Sequence, residues 1–201
     1  MIPTAEQAKG ILGPYHPMIR GLIEEAWAEW KAVQACRAAQ QLPPLLYPRT
    51  LSNYIFDAIA RRAILAFGAE DAVQVEIEAQ TFKLHFKGLC ARFKKGGEDK
   101  LGRNVPTQAA LAFMDADGLL PGMPPETAKV EFVWLSNEIG DLDRVLVIAR
   151  DGDQLIWEYD IDPAEPAADM LTLPISPTEP DNDGAPLVTP KTPAKPDTKQ
   201  Q

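Results

Sequence analysis

Two histidines, His16 and His85, and two cysteines, Cys36 and Cys90, are the only imidazole and thiol groups in 201 residues. His85 and Cys90 flank Lys87-Gly88, so a turn there makes them cross-strand neighbours. A cysteine beside a histidine is a nucleophile–base pair in some enzymes. The spacing supplies no third, orienting group and no cleft, and a plain surface strand pair is the simpler reading. Neither residue type has zinc-ligand spacing. Asp115-x-Asp117 with Glu126 imitates part of an EF-hand loop, but Leu119 and Leu120 stand where an oxygen ligand and a glycine are required. Glu98-Asp99-Lys100 spells the E-x-K of some metal-dependent nucleases, yet it lies in a glycine-flanked loop and not on a rigid strand. Gly96-Gly97 to Gly102 has no Gly-Lys-Ser/Thr after it and is not a phosphate loop. These residues predict no catalytic group, no metal site and no cofactor. Dispersed carboxylates such as Asp57, Glu76 and Asp143 can form a site only if the fold assembles one.

The strongest charge feature is a basic run. Between Lys83 and Arg103 stand seven cations, Lys83, Lys87, Arg92, Lys94, Lys95, Lys100 and Arg103, against two acids. Strand alternation places Lys83, Arg92 and Lys94 on one face, with Lys95, Lys100 and Arg103 continuing into the loop. A β-ribbon of this kind can lie along phosphates, so these six are candidate nucleic-acid or anion contacts. Glu76 and Glu78 on the adjacent strand can neutralise the face, and solvated cross-strand charges also protect a sheet edge. Four further residues are candidate partner contacts, because Arg, Trp and Tyr anchor interfaces. Arg61 and Arg62 interrupt the apolar face of a helix, unless Glu24, Glu25 or Glu29 pairs with them. Trp157 and Tyr159 close the last strand.

The elements that position these residues follow from hydrophobic period. The apolar fraction is 45%, the charged fraction 24% and the net charge −9. These are globular values, and they exclude a whole-surface nucleic-acid binder. Residues 1–16 read as a loose segment. A helix from Pro17 carries Ile19, Leu22, Ile23, Ala26, Trp27, Trp30 and Val33 at spacings of three and four, and ends before Pro43-Pro44. A second runs from Thr50 or Ser52 to Phe67, with Gly68 as its stop. Residues 73–95 then alternate cleanly as three strands. With turns at Ala79-Gln80 and Lys87-Gly88, Ile77 faces Phe82, Phe82 faces Phe93, and Leu84 lies between Val75 and Ala91, all on one face. The other face carries Glu76, Lys83 and Arg92. A third helix spans Pro106 or Thr107 to Asp117. Strands at 129–135, 144–150 and 154–161 follow, with Asp151-Gly152 as a hairpin turn. Their apolar runs predict the middle of the sheet, under helices on one side.

The predicted fold is α+β: a mainly antiparallel sheet from two three-stranded meanders with three helices, in the order ααβββαβββ, forming one domain over 1–162. Residues 163–201 hold nine of nineteen prolines and no aromatic residue, which predicts a disordered, partly polyproline tail. The start has no basic and apolar leader pattern, no stretch reaches membrane-spanning length, and two cysteines build no disulfide framework. The expectation is a cytoplasmic protein.

Several strings taken together carry a resemblance: Ile55-Phe56-Asp57 running into Ala60-Arg61-Arg62-Ala63-Ile64, Arg92-Phe93-Lys94-Lys95-Gly96, Asn104, Thr107-Gln108-Ala109, Leu120-Pro121-Gly122 and Trp157-x-Tyr159. The chain resembles, over about Leu22 to Ile161, a group of bacterial proteins of mobile elements and defence loci. Its members are encoded beside a protein joining an XRE-type helix-turn-helix to an ImmA/IrrE-like metallopeptidase domain. The resemblance implies a two-gene toxin–antitoxin or regulator–partner system in phage defence or mobile-element maintenance. It supplies no catalytic residues, and the peptidase's own His-Glu-x-x-His is absent here. The expected function is therefore a non-enzymatic protein-interaction partner, an antitoxin or regulatory member. The alternative is nucleic-acid binding through the basic face of 83–103.

Overall fold

A computed structural model describes residues 2–78, 81–102, 107–115, 118, 124, 127–138 and 140–162. The proline-rich tail, Arg103, Asn104, the turn at Ala79-Gln80 and the Leu120-Pro121-Gly122 string lie outside them. The elements are α1 (Ala5–Leu12), a 3-10 turn (Gly13–Tyr15), α2 (His16–Ala39), α3 (Pro48–Gly68), β1 (Gln74–Ile77), β2 (Phe82–Phe86), β3 (Leu89–Lys95), α4 (Gln108–Met114), β4 (Ala128–Ser136), β5 (Leu142–Asp151) and β6 (Gln154–Asp160). The fold class is α+β, and the three predicted helices are α2, α3 and α4.

Helix α1 corrects the expectation of a loose start. Thr4 accepts a hydrogen bond from the Gln7 backbone N–H, and Gln7 Oε1 accepts one from the Thr4 N–H, closing a capping box. Its Ala8 and Leu12 are fully buried. Helix α3 also begins earlier than expected, with Pro48 in its first turn, where the missing N–H costs nothing.

The strands lie in the order β1-β2-β3-β4-β5-β6. Every contact is antiparallel except β3 with β4, which is parallel. The predicted register of the first meander holds, with Ile77 opposite Phe82, Val75 opposite Leu84 and Leu84 opposite Ala91. Of the second meander, β4 and β5 are interior strands, with Phe132-Val133-Trp134 and Val145-Leu146-Val147-Ile148 buried as expected, whereas β6 forms an edge. The last hairpin is also shifted by one residue. Asp151 pairs with Gln154, leaving Gly152-Asp153 as the loop, with Gly152 at φ 54°.

A parallel pair cannot be joined by a tight turn, so the chain between β3 and β4 must cross over. This crossover, which contains α4, decides the burial of the sheet. Helices α1 to α3 cover one face, where Phe82, Phe93, Phe132 and Phe86 pack ring against ring with centroids 5.0–6.3 Å apart. On the opposite face Leu101 of the crossover packs with Val133, Leu146 and Ile148, and Phe113 of α4 packs on Cys90. Lys129 fastens the crossover by donating from Nζ to the carbonyls of Ala112 and Asp115 at 2.7 Å each and to that of Gly118. A cation there satisfies carbonyls that a helix C-terminus leaves without partners.

Candidate functional site

Alternation puts the polar residues of β2, β3 and β4 on the crossover side, so they are covered and not solvated. Arg92 is 5% exposed, Glu131 1% and Arg150 8%. Arg92 and Glu131 are paired residues of the parallel register. The Arg92 Nε and Nη2 donate to Glu131 Oε1 at 3.0 and 2.6 Å. Arg150 lies with Nη1 3.7 Å from Glu131 Oε2 and donates from that nitrogen to the Gly102 carbonyl at 3.0 Å. The Phe113 ring covers Arg92, its centroid 3.9 Å from the guanidinium carbon. Burial lowers the Arg92 pKa, opposed by the charge of Glu131. A buried ion pair is kept only where hydrogen bonds satisfy it, and this one leaves Glu131 Oε2 without a hydrogen bond.

The predicted cationic face is therefore not free. Lys83 pairs with Glu78, and with Glu76 at 3.6 Å. Lys100 pairs with Glu158 of β6. Lys94 and Lys95 are half-buried and have no hydrogen bond or ion pair among the described residues. Burial first, and then the charge of Arg92, pushes the Lys94 ammonium down to about 8.

The thiol–imidazole pair gains the orienting group that its spacing did not supply. His85 lies opposite Cys90 and bonds through Nε2 to Glu76 Oε2 at 2.8 Å. Its Nδ1 is buried without a partner. The arrangement lacks access: Cys90 is fully buried under Phe113, and burial pushes its thiol up to about 12. A nucleophile needs the thiolate, and this environment suppresses it.

The four candidate partner contacts are occupied internally. Arg61 and Arg62 both bind Glu29, at 2.9 and 2.6 Å, and Arg62 also binds Glu25 at 3.1 Å. The Tyr54 hydroxyl donates to Glu29 at 2.7 Å. That bond first, then those from Arg62 and Arg61, hold the Glu29 carboxyl at about 2. The group ties α2 to α3. The Trp157 indole N–H donates to the Pro3 carbonyl at 2.7 Å and the ring stacks on Tyr159, whose hydroxyl meets His16 Nε2 at 3.2 Å. Both aromatics anchor the N-terminal segment to β6.

What reaches solvent instead is the connection between α2 and α3, Leu42-Pro43-Pro44-Leu45-Leu46-Tyr47. Leu46 is 84% exposed and Tyr47 59%, with Leu42 and Leu45 also well exposed. With Trp30, Gln34 and Leu51 the connection lines a groove. It is held in shape: Arg37 donates to the Pro43 carbonyl at 2.8 Å, and Arg49 lies 4.8 Å from the Tyr47 ring centroid. The sequence signal was present as an apolar run inside a proline-bounded loop. Pro43-Pro44 reads first as a helix stop, which hides the exposure.

Among the described residues no group of three or more His, Cys, Asp or Glu is placed to hold a metal ion, and no helix is long and apolar enough to cross a membrane. No family model, curated protein or solved structure matches the chain, so the resemblance rests on the strings quoted for it.

Proposed function

We propose that the chain is a protein-interaction partner that docks through its α2–α3 connection. One observation carries this reading. A run of large apolar side chains projects into solvent from a loop stiffened by Pro43, Pro44 and Pro48 and braced by Arg37 and Arg49. A prong whose shape is fixed before binding loses little entropy on docking. Exposed apolar residues gathered in one place mark an interaction surface, whereas scattered ones do not. The partner to test is the helix-turn-helix metallopeptidase implied by the resemblance, with this chain as the antitoxin or regulatory member. The nucleic-acid alternative is weakened because, among the described candidate contacts, Lys83, Arg92 and Lys100 are ion-paired and Lys94 and Lys95 are half-buried.

The test is co-expression with the product of the neighbouring gene, followed by size-exclusion chromatography. The expected result is co-elution, weakened at least about tenfold by Leu46→Asp or Tyr47→Ala with no change in melting temperature. Absence of a complex overturns the reading. So does a complex indifferent to both substitutions.

A further inference from the structure

The groove beside the α2–α3 connection joins aromatic walls to a cationic setting. Trp30, Tyr47, Pro44 and Pro48 are among the residues that line about 610 Å³ of space. The chain has a net charge of −9, yet positions 30–56 hold no acidic residue and three cations, Lys31, Arg37 and Arg49. Lys31 pairs with Asp141 at 2.8 Å. Arg37 and Arg49 have no ion pair among the described residues: Arg37 bonds the Pro43 carbonyl and Arg49 lies over the Tyr47 ring. Nearby Glu29 is already held by Arg61 and Arg62. Aromatic grooves of this kind take extended proline-bearing segments, whose prolines bring no N–H to be left unsatisfied. The two guanidiniums add that the segment should be acidic.

One stretch of this chain has that chemistry. Residues 165–179, which lie outside the described residues, carry three acids and no cation, three prolines, and the apolar side chains Met170, Leu171, Leu173 and Ile175. The groove is within their reach. Arg20 of α2 donates from Nη1 to the Ile161 carbonyl at 2.7 Å, which fixes where the chain leaves the last strand. Trp30 stands about 15 Å further along the same helix and Gln34 about 21 Å. From Asp162 to Met170 an extended chain spans about 26 Å. We propose that residues 165–179 are the ligand of this groove, with the apolar run from Met170 to Ile175 against the aromatic walls and the acids toward Arg37 and Arg49. A short tether holds its segment at about millimolar effective concentration, so a weak contact is enough to fill the groove. The segment then competes with a partner for the α2–α3 connection. That competition rests on the docking reading, whereas the occupancy does not.

The test uses the full chain with a nitroxide on Cys36, which is exposed and lies on α2 just beyond Gln34, while Cys90 is buried and unlabelled. Paramagnetic broadening of the methyl signals reads how close each part of 163–201 comes. The expected result is broadening at Met170 and Ile175 at least about threefold stronger than at Val188, although Val188 hangs on the same tether. Arg49→Glu, and separately the pair Leu171→Ser with Leu173→Ser, which leaves residues 1–162 untouched, should each bring Met170 and Ile175 down to the level of Val188. Equal broadening at the three positions in the unaltered chain overturns the proposal. So does broadening that survives both changes, which would place the segment elsewhere. Mixing nitroxide-bearing copies with separate isotope-labelled ones covers the remaining occupant: broadening of the same size in that mixture assigns the groove to a second copy and overturns occupancy within one chain. Co-elution with a partner reports on the docking reading alone, so the two can fail separately.

Discussion

Glu131 and Phe132 are neighbours on β4, both at most 1% exposed, and they point to opposite faces of one sheet. Around Phe132 every central position is apolar: Ala91, Phe93, Val130, Val145 and Val147. Around Glu131 the same depth holds Arg92 and Arg150 beside Val133, Leu146 and Ile148. One face is closed by helices that bring their own apolar stripes. The other is closed by a crossover that runs over charges already in the strands. Depth is therefore not a measure of apolarity in this protein, and the two faces should fail in different ways. Glu131→Ala leaves two guanidiniums without a buried counter-charge and is expected to cost about 3–5 kcal/mol in a urea melt. Replacing the pair together, Arg92→Met with Glu131→Leu, should recover most of that loss, because Arg150 keeps its bonds to the Gly102 and Gly152 carbonyls. Phe132→Ala is expected to cost about 3–5 kcal/mol through the cavity it opens, with no partner substitution to rescue it. If the Glu131 single and paired replacements melt alike, the contrast between the faces is wrong.

That contrast also sets the limit of what the sequence could tell. The register of residues 74–91 was legible because period-two alternation admits only one pairing that keeps Val75, Leu84 and Ala91 on one face. Helices α2 and α3 were legible for the same reason at a period of 3.6. The pattern states only that alternate residues differ, and it carries no information about what lies over the polar ones. Arg92 and Lys94 were read as solvated because nothing local marks the crossover's path. That path is imposed by β3 and β4 pairing in parallel, a contact between segments more than thirty residues apart. The Glu76–His85 bond was missed because it is diagonal to the strand register. The capping box at Thr4 and Gln7 is legible in the sequence, but the helix it starts is only eight residues long and offers few apolar positions to set a period.

Lys94 offers a smaller test of the same face. An ammonium held at about 8 folds at a cost, because the unfolded chain keeps a proton that the folded chain releases. Between pH 8 and the ordinary lysine value near about 10.4 the unfolded state binds more protons, so stability rises with pH across that window. Lys94→Met removes the group. At pH 7 it is expected to gain about 1–2 kcal/mol, after allowance for the solvent that screens a half-exposed amine. The gain should fall steadily as pH rises above 8, be mostly lost by about pH 10, and vanish only well above about 10.4, where the amine is neutral in both states. Chemical melts of both proteins at pH 7, 8.5 and 10 give the comparison. A gain that is flat with pH would mean that Lys94 is hydrated in the folded protein, and that the crossover does not cover it.

Glu29 is the surface counterpart of Glu131: each is a carboxylate held by two arginines, but the Glu29 side chain is 26% exposed and the Glu131 side chain 1%. The desolvation that makes the loss of Glu131 severe is largely absent at Glu29, so Glu29→Gln is expected to cost only about 1 kcal/mol at pH 7. Its signature is in acid. The Tyr54, Arg62 and Arg61 bonds hold the folded carboxyl at about 2, below its value near 4.5 without them. A depressed carboxyl stabilises the fold above its unfolded pKa and loses that contribution as pH falls through the folded one. The gap between wild type and Glu29→Gln should thus stay constant from pH 5 to 8, then narrow from about pH 4.5 down to about pH 2. Urea melts at pH 7, 4 and 2.5 follow it. A gap that stays full at pH 2.5 would show that Tyr54 and the arginines hold the side chain by shape and not by its charge, and would remove Glu29 from the comparison with Glu131.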